Sequence, residues 1–347
     1  MMRYFGIKLL SAFSVLMGVV LLIFTLFMLF PSADEITAGQ RADAATKEAM
    51  RKDMGLDLPK SEQLILYLKD LSPLIISDQI KPQYSGWKLS VGASTIMFKT
   101  PYLRNSYQSK RSVSELLSEA FLGSIVLAFF SMGIALLLGI AMGVVSALYP
   151  GQWIDRINLA LATMGVSLPS FFIAVIIAWL FGFVWHAYTG LPMTGSLYEL
   201  DAITGEKHLA LSHIILPSIA LGIRPLSIIL QLTRSNLIEV MQQDYIRTAR
   251  SKGLSEFQVV WRHGLRNAIN PVVTAASGWF ASLLAGAFFI EYIFAWKGLG
   301  KVCIDALQQS DLPVVMGAVL LIACIFIVVN SVVDVLYGML DPRVRKQ

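Results

Sequence analysis

Six apolar blocks, each near the length that crosses a bilayer, constrain this chain more than any other feature. About 20 consecutive apolar residues span the hydrocarbon core. Blocks of that order run from Leu9 to Phe30, Phe121 to Leu148, Ile157 to Trp185, Leu209 to Leu232, Val272 to Ile290 and Val314 to Met339. Apolar residues make up 56% of the 347, above the roughly 45–50% of soluble domains, and the blocks hold the excess. Within them, Pro169, Pro217 and Pro225 are tolerable because neighbouring helices can re-satisfy the freed backbone groups. The pattern predicts an all-α membrane protein with six transmembrane helices. Arg3 and Lys8 precede the first block as they would in a signal peptide. Its apolar core is too long for one, and no clear small-x-small cleavage site follows, so it reads as a retained span.

Charge sets the expected orientation. The net charge is +5, which in a membrane protein reflects basic cytoplasmic loops and need not imply a nucleic-acid partner. Between Arg234 and Asn270 six Lys/Arg (234, 247, 250, 252, 262, 266) face three acids (239, 244, 256), and Arg343, Arg345 and Lys346 lie in the tail. By the positive-inside rule this island, both termini and the 149–156 turn are cytoplasmic. The expected organisation is 1–30, N-terminal end and first span; 31–114, an external domain; 115–233, spans two to four; 234–270, a cytoplasmic loop; and 271–347, the last two spans and tail. Within the external part, 41–53 reads as helical and 81–100 as extended.

The island reads RSNLIEVMQQDYIRTARSKGLSEFQVVWRHGLRNAINP from Arg234 to Pro271. Two helices fit it. The first spans about 235–251, ended by Gly253 in the left-handed conformation. The second is opened by Ser255 and Gln258 as a capping box. Along the second, Leu254, Phe257, Val260, Trp261 and Leu265 follow helical spacing, with Lys252, Arg262 and Arg266 around them. An apolar stripe with a basic rim suits docking into a groove on another protein. It equally suits lying on anionic headgroups.

The island and the stretch that follows it, LLAGAFFIEYIFAWKGLGKVCIDALQQSDLPVVMGAVLLIACIFIVVNSVVDVLYGMLDPR, together resemble the permeases of ABC importers for dipeptides, oligopeptides and nickel. The resemblance covers about the last third of the chain, and elsewhere it rests on span number, the Gly-rich second span and Leu168–Ser170. The broader superfamily has Glu-Ala-Ala, then Gly, then Ile-x-Leu-Pro in this loop. Here Ala249, Gly253 and Leu265 match, while Arg247-Thr248 and Arg266 depart as the peptide branch also does. Two other departures are Pro31-Ser32-Ala33-Asp34 for Pro-Gly-Asp-Pro and Trp296-Lys297-Gly298-Leu299-Gly300 for Trp-Pro-Gly-Leu-Gly.

The resemblance implies a type I ABC importer permease fold in the bacterial cytoplasmic (inner) membrane. It implies three kinds of partner, a second homologous permease, one or two cytoplasmic ATPases and an external solute-binding protein, with a peptide as the favoured substrate and membrane lipid around the spans. ATP and Mg would bind the ATPases and no cofactor this chain. Arg247, Ala249, Lys252, Gly253, Phe257, Trp261, Arg262, His263, Leu265 and Arg266 would couple to the ATPases. A nickel-complex permease, or an ATP-independent secondary transporter, is the competing expectation.

Three charges near or within spans are candidate pathway or gate residues. Arg224 falls in the cytoplasmic half of the fourth block, where it either meets a passing carboxylate or snorkels to the interface. Glu291 closes the fifth block and either gates or caps the loop holding Gly298 and Gly300. Asp334 lies near the inner end of the sixth. Gly298-Leu299-Gly300-Lys301 lacks the spacing and the Ser/Thr of a phosphate-binding loop. No metal-ligand cluster or catalytic triad order stands out, and nothing in the sequence makes the case for catalysis.

Overall fold

The computed structural model describes residues 2–29, 58–77, 84–91, 94–200 and 205–340. The helix expected over 41–53 and the charged tail lie outside these residues. The chain forms two compact units, one of residues 1–119 and 302–321 and one of residues 120–301 and 322–347.

The first unit holds α1 (Met2–Leu29), α2 (Lys60–Leu71) and a three-stranded antiparallel sheet of β1 (Leu74–Ser77), β2 (Gly86–Val91) and β3 (Ser94–Lys99), in the order β1-β3-β2. The all-α expectation is corrected by this sheet, and the extended reading of 81–100 holds for β2 and β3 but did not include β1. Strand alternation buries Ile75 and Met97 and leaves Leu74, Ile76, Trp87, Leu89 and Phe98 exposed. Val20 and Ile23 of α1 pack on Tyr67 of α2, and Phe24 stacks on the same ring. Asp70, 1% exposed, ties sheet to helix. Its carboxylate accepts from Tyr84 Oη at 2.6 Å and Arg104 Nη2 at 3.1 Å. Lys99 Nζ donates to its backbone carbonyl. Burial, with Asp70 as acceptor, pushes the Tyr84 hydroxyl well above the usual tyrosine range, so it stays a donor.

The second unit is built on helices. Its long members are α3 (Val113–Leu148), whose first turns belong to the other unit, and α6 (Ser212–Met241). Between them come α4 (Trp153–Ser167), α5 (Ser170–Trp179) and a small hairpin of β4 (Tyr198–Leu200) and β5 (Lys207–Leu209). After α6 come α7 (Asp244–Ser251), a π-helix (Val259–Leu265), α8 (Asn270–Gly286), α9 (Phe288–Ile293), α10 (Leu299–Gln308) and α11 (Leu312–Leu340). The last two contribute residues to both units.

Among the described residues, three helices are long and apolar enough to cross a membrane, or four if α4 and α5 with its π-helical end make one bent span. The third block is therefore not the single straight helix its composition suggested. The two segments meet at 112°. Pro169 has no N–H and pushes Leu168 out of the helical region, to φ −78° and ψ 142°. Block four also departs from expectation, because α6 continues to Met241. Arg224 thus stands near the middle of its helix.

Small residues on α3 let α6 approach closely. A Cβ on Gly139 would lie 2.8 Å from Ile229 Cγ2, and one on Gly143 would lie 2.6 Å from Thr233 Cβ and 2.8 Å from the Leu230 carbonyl. Without a strong hydrophobic force between helices in lipid, such backbone proximity is what holds them together. Gly143→Val is expected to destabilise by about 1–3 kcal/mol through overpacking, read as a lower melting midpoint in detergent. Gly133→Val, at a position facing open space, should change the midpoint little.

Candidate functional site

The loop between α6 and α8 is a compact helical hairpin. Gln243, at φ −72° and ψ 151°, breaks the chain after α6, so the first loop helix starts at Asp244, later than the predicted 235. Gly253 takes φ +80°, a conformation that favours glycine and ends α7 as expected. Ser255 and Gln258 form the predicted capping box, with Ser255 Oγ accepting from Gln258 N at 3.4 Å and Gln258 Oε1 from Ser255 N at 3.2 Å.

Beyond the cap the backbone widens into the π-helix, which no 3.6-residue pattern announced. Bonding from i to i+5 brings residues five apart to one face. Val259 and Gly264 are buried together, as are Val260 and Leu265. Val260, Leu265 and Ala268 join Val144 of α3 and Leu237 of α6 in one apolar cluster, while Val259 packs with Ile246 and Ala249 of α7. The predicted stripe therefore divides between two faces. Phe257 and Trp261 point outward, 71% and 50% exposed, with ring centroids 5.9 Å apart.

The predicted docking residues separate accordingly. Arg247, Lys252, Gly253, Phe257, Trp261, Arg262 and Arg266 are exposed, His263 is half-buried, and Ala249 and Leu265 are anchors in the core. Two ion pairs not anticipated from the sequence fasten the hairpin. Arg250 grips Glu256 through Nε (2.8 Å) and Nη2 (3.2 Å), closing α7 on the second helix. At the base, Arg234 of α6 holds Asp155 of α4 through Nε (2.6 Å) and Nη2 (2.8 Å), and Asp155 also accepts from Gly151 N. Asp155 is 1% exposed, so its charge depends on this partner. The basic residues alone suggested a surface; nothing short-range signalled that Arg234 turns inward to a carboxylate far away in the chain.

The pathway candidates are not brought together. Glu291 is 1% exposed, with Oε1 accepting from Ser124 Oγ at 2.6 Å and Oε2 from the backbone N of Gly300 at 2.6 Å and Lys301 at 3.3 Å. It caps the start of α10, and a Cβ on Gly298 would collide with its carboxylate. This geometry matches the local capping role weighed for it. Arg224 is half-buried on α6, with Nη2 3.4 Å from the Leu168 carbonyl. Asp334 lies on α11 beyond the residues whose side chains are described. His213 is held by the Ser196 carbonyl (3.0 Å) and Glu199 (3.2 Å), a fastening of the hairpin to α6.

Leu265→Ala is expected to cost about 2–5 kcal/mol by opening a cavity, whereas Phe257→Ala should stay within about 0.5 kcal/mol; thermal melts of the two variants compare them directly. Arg234→Ala strands a buried carboxylate and should lower the melting midpoint more than Arg250→Ala, whose pair is exposed.

Comparison with known proteins places this architecture. Residues 135–346 match the family model described as binding-protein-dependent transport system inner membrane component, and residues 1–128 match the model of the N-terminal part of such membrane components. The glutathione transport system permease protein of Pectobacterium atrosepticum is 34% identical over 99% of both chains. The dipeptide transport system permease protein of Alkalihalophilus pseudofirmus is 31% identical over 99% of this chain and 100% of its own. The Escherichia coli K12 dipeptide transport system permease protein is 35% identical over 94% of each. Among solved structures, an inward-facing form of the MetNI methionine ABC transporter shares the fold, with a TM-score of 0.51 at 19% identity, over 66% of this chain and 97% of that one.

Proposed function

We propose that this chain, which belongs to the family of binding-protein-dependent transport system inner membrane components, is the pore-forming subunit of an ATP-driven importer of di- and oligopeptides. It crosses the bacterial inner membrane six times, with both termini cytoplasmic, and forms half of the translocation pathway beside a second, homologous permease. Residues 31–114 face the external side and meet a solute-binding protein. Cytoplasmic ATPases bind ATP and Mg; this chain holds no cofactor and does no chemistry. Peptides are the favoured cargo because relatives along nearly the whole chain are named for dipeptides and for glutathione, itself a peptide.

One observation carries the coupling role: Phe257, in the turn that leads into the π-helix, and Trp261 within it point outward, while Val260 and Leu265 lock the other face to α3 and α6. An aromatic pair with a basic rim of Lys252, Arg262 and Arg266 fits a groove on an ATPase. Force applied there passes through the buried face into α6. The Arg234–Asp155 pair hands it on to α4. For ATP binding to drive transport, the contact must differ between the two states of the ATPase pair.

The test is purification of the complex from native membranes through a tag on this chain. An ATPase should co-purify, and Phe257→Ala with Trp261→Ala should abolish its recovery while leaving this chain's own melting midpoint unchanged. Equal recovery with the double variant would remove the aromatic pair from the interface. Absence of any ATPase from an intact membrane complex would favour a stand-alone transporter.

A further inference from the structure

Arg224 stands about 15 Å along α6 from Arg234, at about 1.5 Å per residue. Taking the Arg234–Asp155 pair as one water-facing edge, Arg224 falls near the middle of a hydrocarbon core about 30 Å thick. Arginines near helix ends snorkel to the interface; this one is too deep to do so. Its guanidinium makes a single long hydrogen bond, Nη2 to the Leu168 carbonyl at 3.4 Å. Its Nε is buried with no acceptor among the described residues. No carboxylate among them pairs with it.

The surrounding backbone is broken at the same level. Leu168 is the last residue before the 112° bend between α4 and α5. Pro225, next to the arginine, cannot donate to the carbonyl of Leu221. The Ser218 hydroxyl, about 9 Å farther along α6 at about 1.5 Å per residue, is buried without a partner among the described residues. Irregular backbone at membrane depth persists only where protein buries it or where it lines a cavity. Interrupted helices near the midplane are also where transporters hold charged groups of their solutes. Sealing one carbonyl of a helix end needs only a neutral donor. A cation at this depth, half-buried and with most of its five N–H donors unused among the described residues, needs an anion.

We propose that Arg224, set against the Leu168 carbonyl at the break between α4 and α5, recognises the carboxylate of the solute in transit. The site rests on the peptide-import reading above, because a peptide with a free C-terminus brings a carboxylate to it. The planar guanidinium can take both oxygens at once. The passing carboxylate offsets the cost of holding the charge within the core.

The experiment uses the whole importer in vesicles, loaded from its binding protein, with trialanine and trialanine amide as probes. Both are supplied at saturation of the binding protein, so that steps after delivery are compared. R224Q is expected to slow trialanine uptake about tenfold and to leave the amide within about twofold. R224K, which keeps the charge without the fork, should show a smaller loss confined to trialanine. Equal losses for both probes in R224Q would overturn the proposal and leave Arg224 as a structural cap or as the partner of an acid on the second permease. Unchanged uptake of both would overturn it as well. Should R224Q fail to assemble, R224K decides: a lowered trialanine-to-amide ratio supports the proposal and an unchanged ratio overturns it. Were the wild type to exclude the amide, its admission by R224Q would support the carboxylate role and its continued exclusion would overturn it. Uptake of neither probe by the wild type would overturn the peptide reading itself, and this ligand with it.

Discussion

The inner face of α6 is the surface on which the second unit is organised. Helices in lipid gain little from burying apolar side chains against one another, so they need close backbone approach and specific polar links. Here α6 has both. Gly139 and Gly143 of α3 admit Ile229 and Thr233 with no room for a side chain between. Towards its loop end, Arg234 fixes α4 through Asp155, and Leu237 receives the π-helix. α6 is thereby held at three levels along its length.

The π-helix performs two tasks with one short segment. An α-helix carrying the same residues would present Phe257, Val260, Trp261 and Leu265 along a single apolar stripe and would have to choose between core and partner. The wider helix resolves that conflict by sending Val260 and Leu265 inward and Trp261 outward, on the side of Phe257 in the turn before it. The Arg250–Glu256 pair and the capping box hold the entry to it. The loop is therefore organised by its own contacts, which would lower the ordering cost of the docking proposed for it.

Breaks in the helices sit where composition allowed them but did not require them. Pro169, Pro217 and Pro225 all fall in apolar blocks. The two in α6 are absorbed within a continuous helix, whereas Pro169 turns the chain by 112°. Tertiary packing makes the difference. The bend lets α4 and α5 pack separately against α6, and Arg224 reaches the carbonyl exposed at the turn. In the same way Glu291 could be seen to close an apolar block, but its three donors come from Ser124 on another helix and from the first turn of α10.

The sequence by itself determined the apolar segments, the basic loop, the left-handed Gly253 and the Ser255 cap. Each of these depends on residue type or on partners within a few positions, where local sterics and transfer free energy decide. Tertiary structure decided which face of the loop helix is core, that Arg234 serves Asp155 and not the surface, that the third apolar block bends, and that Arg224 lies at mid-helix without a carboxylate partner among the described residues. Those outcomes turn on contacts between residues distant in the chain, and on a choice between i+4 and i+5 bonding that goes with the side-chain packing of the loop.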